Sequence, residues 1–198
     1  MSCDTGLVRG RLRSRLVGKL SHAIAEGDGI SFIAQVHDSP SARAAEAQGA
    51  DGLAAHLNTN AVRMASNLPF LHQGRIFDAE GSAADAVVIR PDLALWDEAH
   101  AHGLECVVRV TEPADFRRAL QYFDPEVFLL AVPEDTDDDP LTVLLELLHD
   151  VPAGKLAIAE LHDATSEDVA ELERSGVDAV LVSPDDLAAL IQDDPPDV

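Results

Sequence analysis

The sequence predicts an α/β protein, a compact (β/α)8 TIM barrel, from three observations. Short apolar segments alternate with amphipathic ones from residue 30 onward, the order expected of parallel strands joined by helices. A weak repeat, Gln48-Gly-Ala-Asp-Gly-Leu-Ala54, Ser82-Ala-Ala-Asp-Ala-Val-Val88 and Ser175-Gly-Val-Asp-Ala-Val-Leu181, sets a small residue and an aspartate before an apolar run. The length, 198 residues, lies at the lower limit of about 200 for such a barrel. A doubly wound open sheet is the competing arrangement, disfavoured because no glycine-rich loop follows the first strand.

The clearest unit is Lys155 to Leu187. Lys155-Leu-Ala-Ile-Ala-Glu160 is a buried parallel strand introduced by the turn Pro152-Ala-Gly154. Thr165 with Asp168 predicts a capping box, Val169, Leu172 and Val177 give the helix an apolar side, and Gly176 ends it. Asp178 to Val182 is the next strand, and Ser183-Pro184 opens a last helix.

Upstream, Leu12, Leu16, Leu20 and Ile24 share one face of a helix spanning Leu12 to Glu26, broken by Gly27-Asp-Gly29 and placed across the barrel floor or beside the first strand. Residues 1–29 form a basic segment plus this helix, 30–192 the barrel and 193–198 an acidic tail. Strands are predicted at Ile30 to Val36, Gly52 to Leu57, Asp85 to Arg90, Glu105 to Val110 and Val127 to Val132. Helices intervene at Ser41 to Gln48, Leu93 to His102, a segment carrying Phe116 and Leu120, and Leu141 to His149. The third β/α unit is irregular: a helix around Ala61 to Asn67, a turn at Pro69, a short strand at Arg75-Ile-Phe77 and a nearly deleted helix.

A net charge of −22, from 36 acidic and 14 basic residues of which only Lys19 and Lys155 are lysines, restricts the setting. Aspartates spread over most helices resemble the surface of proteins from a high-salt, haloarchaeal cytoplasm, where salt screens self-repulsion. Such a field excludes nucleic acid as a natural partner. The exception is the basic N-terminal run Arg9, Arg11, Arg13, Arg15 and Lys19, read as a helix face that pairs with the acidic body. No apolar run reaches the roughly 18 residues of a membrane span, and Met1 to Leu20 lacks the apolar core of a signal peptide. A cytoplasmic location follows as the expectation, with Cys3 and Cys106 reduced. Glu134 to Asp139 reads as a solvated acidic loop.

Three segments carry a family resemblance: Ile30 to Leu57, Gly103 to Leu120 and Gly154 to Val182. They are similar to indole-3-glycerol-phosphate synthase, a ribulose-phosphate-binding barrel, over roughly residues 30–58 and 84–192. The resemblance implies a catalytic lysine ending strand one, where this chain has Gln35-Val36-His37. It implies a second lysine within Arg-Lys-Asp-Phe on strand three, matched to Gly74-Arg75-Ile76-Phe77, and arginine is a poor proton donor near neutral pH. The family's fifth-strand glutamate falls on Arg109 and its sixth-strand asparagine pair on Ala131-Val132. Its phosphate-binding glycine loops fall on Leu161-His162-Asp163, after the retained Glu160, and on Ser183-Pro184-Asp185-Asp186. Proline removes an N–H donor and the aspartates repel a dianion.

The mouth is thus relined. His37, Glu160 and His162 are the candidate catalytic residues, and Gln35, His56, Arg90, Arg109 and Ser183 the candidate ligand-binding residues. No cofactor and no metal is called for; a His37, His56 and His162 metal site is the alternative. The remaining histidines, His22, His72, His100, His102 and His149, read as solvated. The resulting expectation is a non-canonical barrel that binds a small molecule or serves a regulatory or assembly role. An enzyme acting on a different substrate, of lyase or isomerase type or metal-dependent through histidine, stays open beside it. The partners expected are a small-molecule ligand and, for an oligomer, further copies of the chain.

Overall fold

A computed structural model of the protein describes residues 18–76 and 84–192. Parallel strands β1 (Ser31–Gln35), β2 (Gly52–Ala55), β3 (Phe70–His72), β4 (Ala86–Ile89), β5 (Glu105–Val110), β6 (Val127–Leu130), β7 (Leu156–Glu160) and β8 (Ala179–Val182) close in sequence order into a barrel. The closing pair is β8 with β1, in the register Ile33 to Leu181. Outside lie α1 (Lys19–Ala25), α2 (Ser39–Gln48), α3 (Thr59–Ala65), α4 (Leu93–Ala101), α5 (Pro113–Tyr122), α6 (Pro140–Leu148), α7 (Ser166–Ser175) and α8 (Pro184–Gln192). The predicted (β/α)8 architecture is therefore the observed one.

Strand alternation builds two apolar layers. Ile33, Ala54, Leu71, Val107, Leu129 and Ile158 fill the barrel, while Leu53, Phe70, Val108, Phe128 and Val180 belong to the layer between strands and helices. Leu20 and Ile24 of α1 join the inner group, so this helix closes the barrel floor. Burying each such leucine or isoleucine contributes about 1.5–3 kcal/mol.

Helix ends follow local chemistry. Asp38 accepts from the Ser41 N–H at 2.8 Å at the start of α2, and Thr165 with Asp168 forms the expected capping box on α7. Gly49 and Gly176 end their helices at φ 99° and 95°, a conformation costly for any residue with a Cβ. The acidic loop is solvated, and its Asp139 caps α6 through the Thr142 N–H at 2.9 Å.

Two expectations are corrected. The third strand is Phe70–His72, not Arg75 to Phe77. Pro69 directly precedes that strand and already bonds to its neighbour: proline lacks an N–H but keeps its carbonyl, which accepts from Leu53 N–H at 2.9 Å. His72 is consequently a fully buried strand residue whose Nε2 lies 3.0 Å from the Arg75 carbonyl oxygen, not a solvated side chain. Phe77, the helix expected after it, the basic run Arg9 to Arg15 and the acidic tail lie outside the described residues, as does most of the predicted helix before Lys19. No helix among the described residues is long and apolar enough to cross a membrane.

Candidate functional site

The C-terminal ends of the strands form the barrel mouth, where (β/α)8 enzymes keep their chemistry. Gln35 ends β1 on the same face as Ile33, and Glu160 ends β7 on the same face as Ile158. Arg109 stands near the end of β5 on the face of Val107. Its guanidinium Nη1 lies 2.6 Å from Glu160 Oε2, joining two strands separated by β6. The side chains are 34% and 10% exposed, so the pair sits with its carboxylate buried and its guanidinium partly in solvent. The contact lacks hydrogen-bond alignment, leaving Oε2 free to accept one.

Correcting the third strand moves a different residue into the mouth. The strand end reads Leu71-His72-Gln73-Gly74, so alternation puts Gln73 on the inward side with Leu71. Both the Oε1 and Nε2 atoms of Gln73 are buried without a hydrogen-bond partner among the described residues. An amide group buried with neither protein nor water to satisfy it costs about 1–3 kcal/mol. Sequence reasoning missed Gln73 because the strand was placed at Arg75 to Phe77, not directly after Pro69. The signal was present in Phe70-Leu71-His72, an apolar run directly after a strand-initiating proline.

The other candidates occupy the rim. His37, His56 and His162 are exposed on loops after β1, β2 and β7. The His37 N–H donates to Ser41 Oγ at 3.1 Å, and its carbonyl accepts from Asn58 Nδ2 at 3.0 Å. Among the described residues no group of three His, Cys, Asp or Glu side chains is arranged to hold a metal. Ser183 Oγ accepts from the Asp186 N–H at 3.2 Å and so caps α8.

Arg90, one residue past β4, stands beside Arg109, because Ile89 pairs with Val108. Both arginines line a cleft of about 380 Å³ with Asp92, Thr111, Asp115 and Arg118. Asp92 accepts from the Ala94 and Leu95 N–H groups at 2.8 and 3.2 Å. Asp115 accepts from the Thr111 N–H at 3.0 Å and from Arg118 Nη1 at 3.0 Å.

Both lysines of the chain are at the opposite end of the barrel. Lys19 pairs at 2.7 Å with Asp85, just before β4, and Lys155 pairs at 2.5 Å with Asp124, before β6. The loop after β7 carries Asp163 in the left-handed region at φ 55°, and the following helix start is occupied by its own Thr165 and Asp168 side chains.

No protein-family model matches the chain. It is similar to indole-3-glycerol phosphate synthase from Geobacillus sp. (strain WCH70), 29% identical over 135 residues that cover 61% of this chain and 52% of that protein. The enzyme of the same name from Variovorax paradoxus (strain S110) is 33% identical over 133 residues, covering 61% and 50%. The chain thus spans about half the length of these curated relatives. Among solved structures, an N-acetylmannosamine-6-phosphate 2-epimerase from Clostridium perfringens superposes with a TM-score of 0.66 at 14% identity, covering 83% of this chain and 88% of that one. A thiamine phosphate pyrophosphorylase from Pyrococcus furiosus does so with 0.66 at 15% identity, covering 82% and 94%. At these identities the two structures share the fold.

Proposed function

We propose that the barrel binds a small polar organic molecule at its C-terminal mouth, among Gln35, Gln73, Arg109 and Glu160, and does not form indole-3-glycerol phosphate. The observation that carries this reading is the pairing of a buried, unpartnered Gln73 amide with the Arg109–Glu160 ion pair at one end of the barrel. A neutral donor and acceptor beside a charge pair suits a ligand carrying amide, hydroxyl or carboxylate groups. His37 and His162, on the loops after β1 and β7 on either side of β8, are the groups that could exchange protons with such a ligand from the rim.

The decarboxylative ring closure implied by the family resemblance draws on lysines at the mouth, and both lysines of this chain lie at the floor. Incubation with the carboxyphenylamino-deoxyribulose phosphate substrate in high salt is expected to yield no indole-3-glycerol phosphate. Product formation above the rate without protein overturns the reading. A melting-temperature screen of small amides and hydroxy acids supplies the positive arm: compounds that stabilise the wild type lose their effect in Gln73→Leu. An equal response in both proteins removes Gln73 from the site.

A second reading, an enzyme acting on another substrate, is favoured by the position of Glu160, a largely buried carboxylate at the barrel mouth. A binding barrel leaves any ligand found by the screen chemically unchanged. An enzyme converts it, and Glu160→Gln lowers the rate of conversion far more than it weakens binding.

A further inference from the structure

Arg90 and Arg109 sit side by side on neighbouring strands, and like charges in that position repel. Arg109 is held by Glu160, whereas Arg90 has no carboxylate within ion-pair distance among the described residues. Arg118 faces the same cleft, 54% exposed, and uses one nitrogen on Asp115. Of the cleft's two carboxylates, Asp92 is occupied by backbone N–H groups, and Asp115 by a backbone N–H and Arg118. An arginine-lined cleft of about 380 Å³ is unusual on a chain with a net charge of −22.

We infer that this cleft, between the loops after β4 and β5, is a binding site for an oxyanion, a carboxylate or phosphate group of the ligand. Arg90 and Arg118 grip the anion from two sides as planar forks. Arg109 lines the cleft and also pairs with Glu160, so the anion site and the mouth proposed above share a residue. The inference rests on the proposal that the mouth binds a ligand. It moves the anion site across the barrel from the loops after β7 and β8, where Ser183, Thr165 and Asp168 already occupy the helix starts.

Isothermal titration of the full chain with inorganic phosphate and with malonate, at fixed ionic strength, tests it. At least one probe binds the wild type, and the stronger one distinguishes a phosphate ester from a carboxylic acid as the natural group. Arg90→Ala and Arg118→Ala each weaken binding about tenfold or more. Arg90→Lys recovers only part, because an ammonium cannot form the fork, and Arg174→Ala, on the outer helix α7 where Arg174 pairs with Glu171, binds as the wild type does. Arg90 and Arg118 are exposed, and circular dichroism of each variant verifies an intact barrel. Absence of binding by either probe, Arg90 and Arg118 variants that bind as tightly as the wild type, or an equal loss in Arg174→Ala overturns the inference. Should the Arg90 and Arg118 variants lose anion binding while Gln73→Leu still responds to every compound of the screen, the cleft stands and the reading of the central mouth falls.

Discussion

The Arg109–Glu160 pair has an asymmetry that single substitutions should expose. Arg109→Ala leaves a largely buried carboxylate without its partner and is expected to cost about 1–3 kcal/mol, less than a fully buried pair because the guanidinium is one-third exposed. Glu160→Gln leaves a guanidinium that still reaches solvent and should cost under about 1 kcal/mol. Chemical denaturation of the two variants checks the order; equal losses would mean the pair is not what holds Glu160. At the floor, burial is the main influence on Glu105 and pushes its carboxyl above the ordinary value of 4.5, against the lowering effect of the Ser21 and Leu20 N–H groups it accepts from. A raised acid binds its proton more readily in the folded state. Its contribution to stability is therefore present at acid pH and is lost as pH rises from 4.5 through the folded-state value. Glu105→Gln should accordingly gain on the wild type as pH increases across that window, read as the difference in melting temperature. A constant difference at all pH values would refute the assignment.

Among the elements, the repeated aspartates explain more than a strand count. Asp51, before β2, accepts from the Phe32 N–H of β1 at 2.8 Å. Asp85, before β4, accepts from the Phe70 N–H of β3 at 3.1 Å, and Asp178, before β8, from the Ala157 N–H of β7 at 2.8 Å. Each aspartate reaches to the preceding strand and fixes the register of a neighbouring pair at the barrel floor. Asp178→Ala is expected to lose about 1–3 kcal/mol, since a charged acceptor is removed from a strand N–H. Asp178→Asn should recover part of it, as measured by denaturant midpoint. Helix α1 depends on a similar reach: Gly18 offers no side-chain cap, and the Glu105 carboxylate bonds the Leu20 and Ser21 N–H groups instead, at 3.2 Å each. A Cβ on Gly18 would lie 1.8 Å from Glu105 Oε2. Gly18→Ala thus displaces the carboxylate, and hydrogen exchange should show α1 opening before the rest of the barrel.

For the whole molecule, charge dominates. A net charge of −22 on 198 residues repels itself, and the repulsion weakens as the Debye length falls from about 10 Å at 0.1 M salt to about 3 Å at 1 M. Melting temperature should rise steeply over that range with sodium chloride. A flat response would separate the acidic surface from any adaptation to salt.

Much of this architecture was legible in the residues themselves. Periodicity and caps located the last two strands and both helices beside them within a residue or two, because Thr165, Gly176, Ser183 and Pro184 impose local conformations regardless of what surrounds them. Glu160 and Arg109 were named from the positions that the family resemblance gives them, and their contact with each other was not legible. The third strand was not, since Pro69 supports either a turn or a strand start, and only the Leu53 N–H bonding its carbonyl distinguishes them. That choice moved His72 into the core and Gln73 into the mouth. The sequence by itself determined the order of strands and helices, the ends of those outside the third unit, and, with only two lysines in the chain, the scarcity of lysine for the mouth. Tertiary structure alone decided which polar side chains meet across the barrel, because closing eight strands brings together residues whose spacing along the chain carries no distance information.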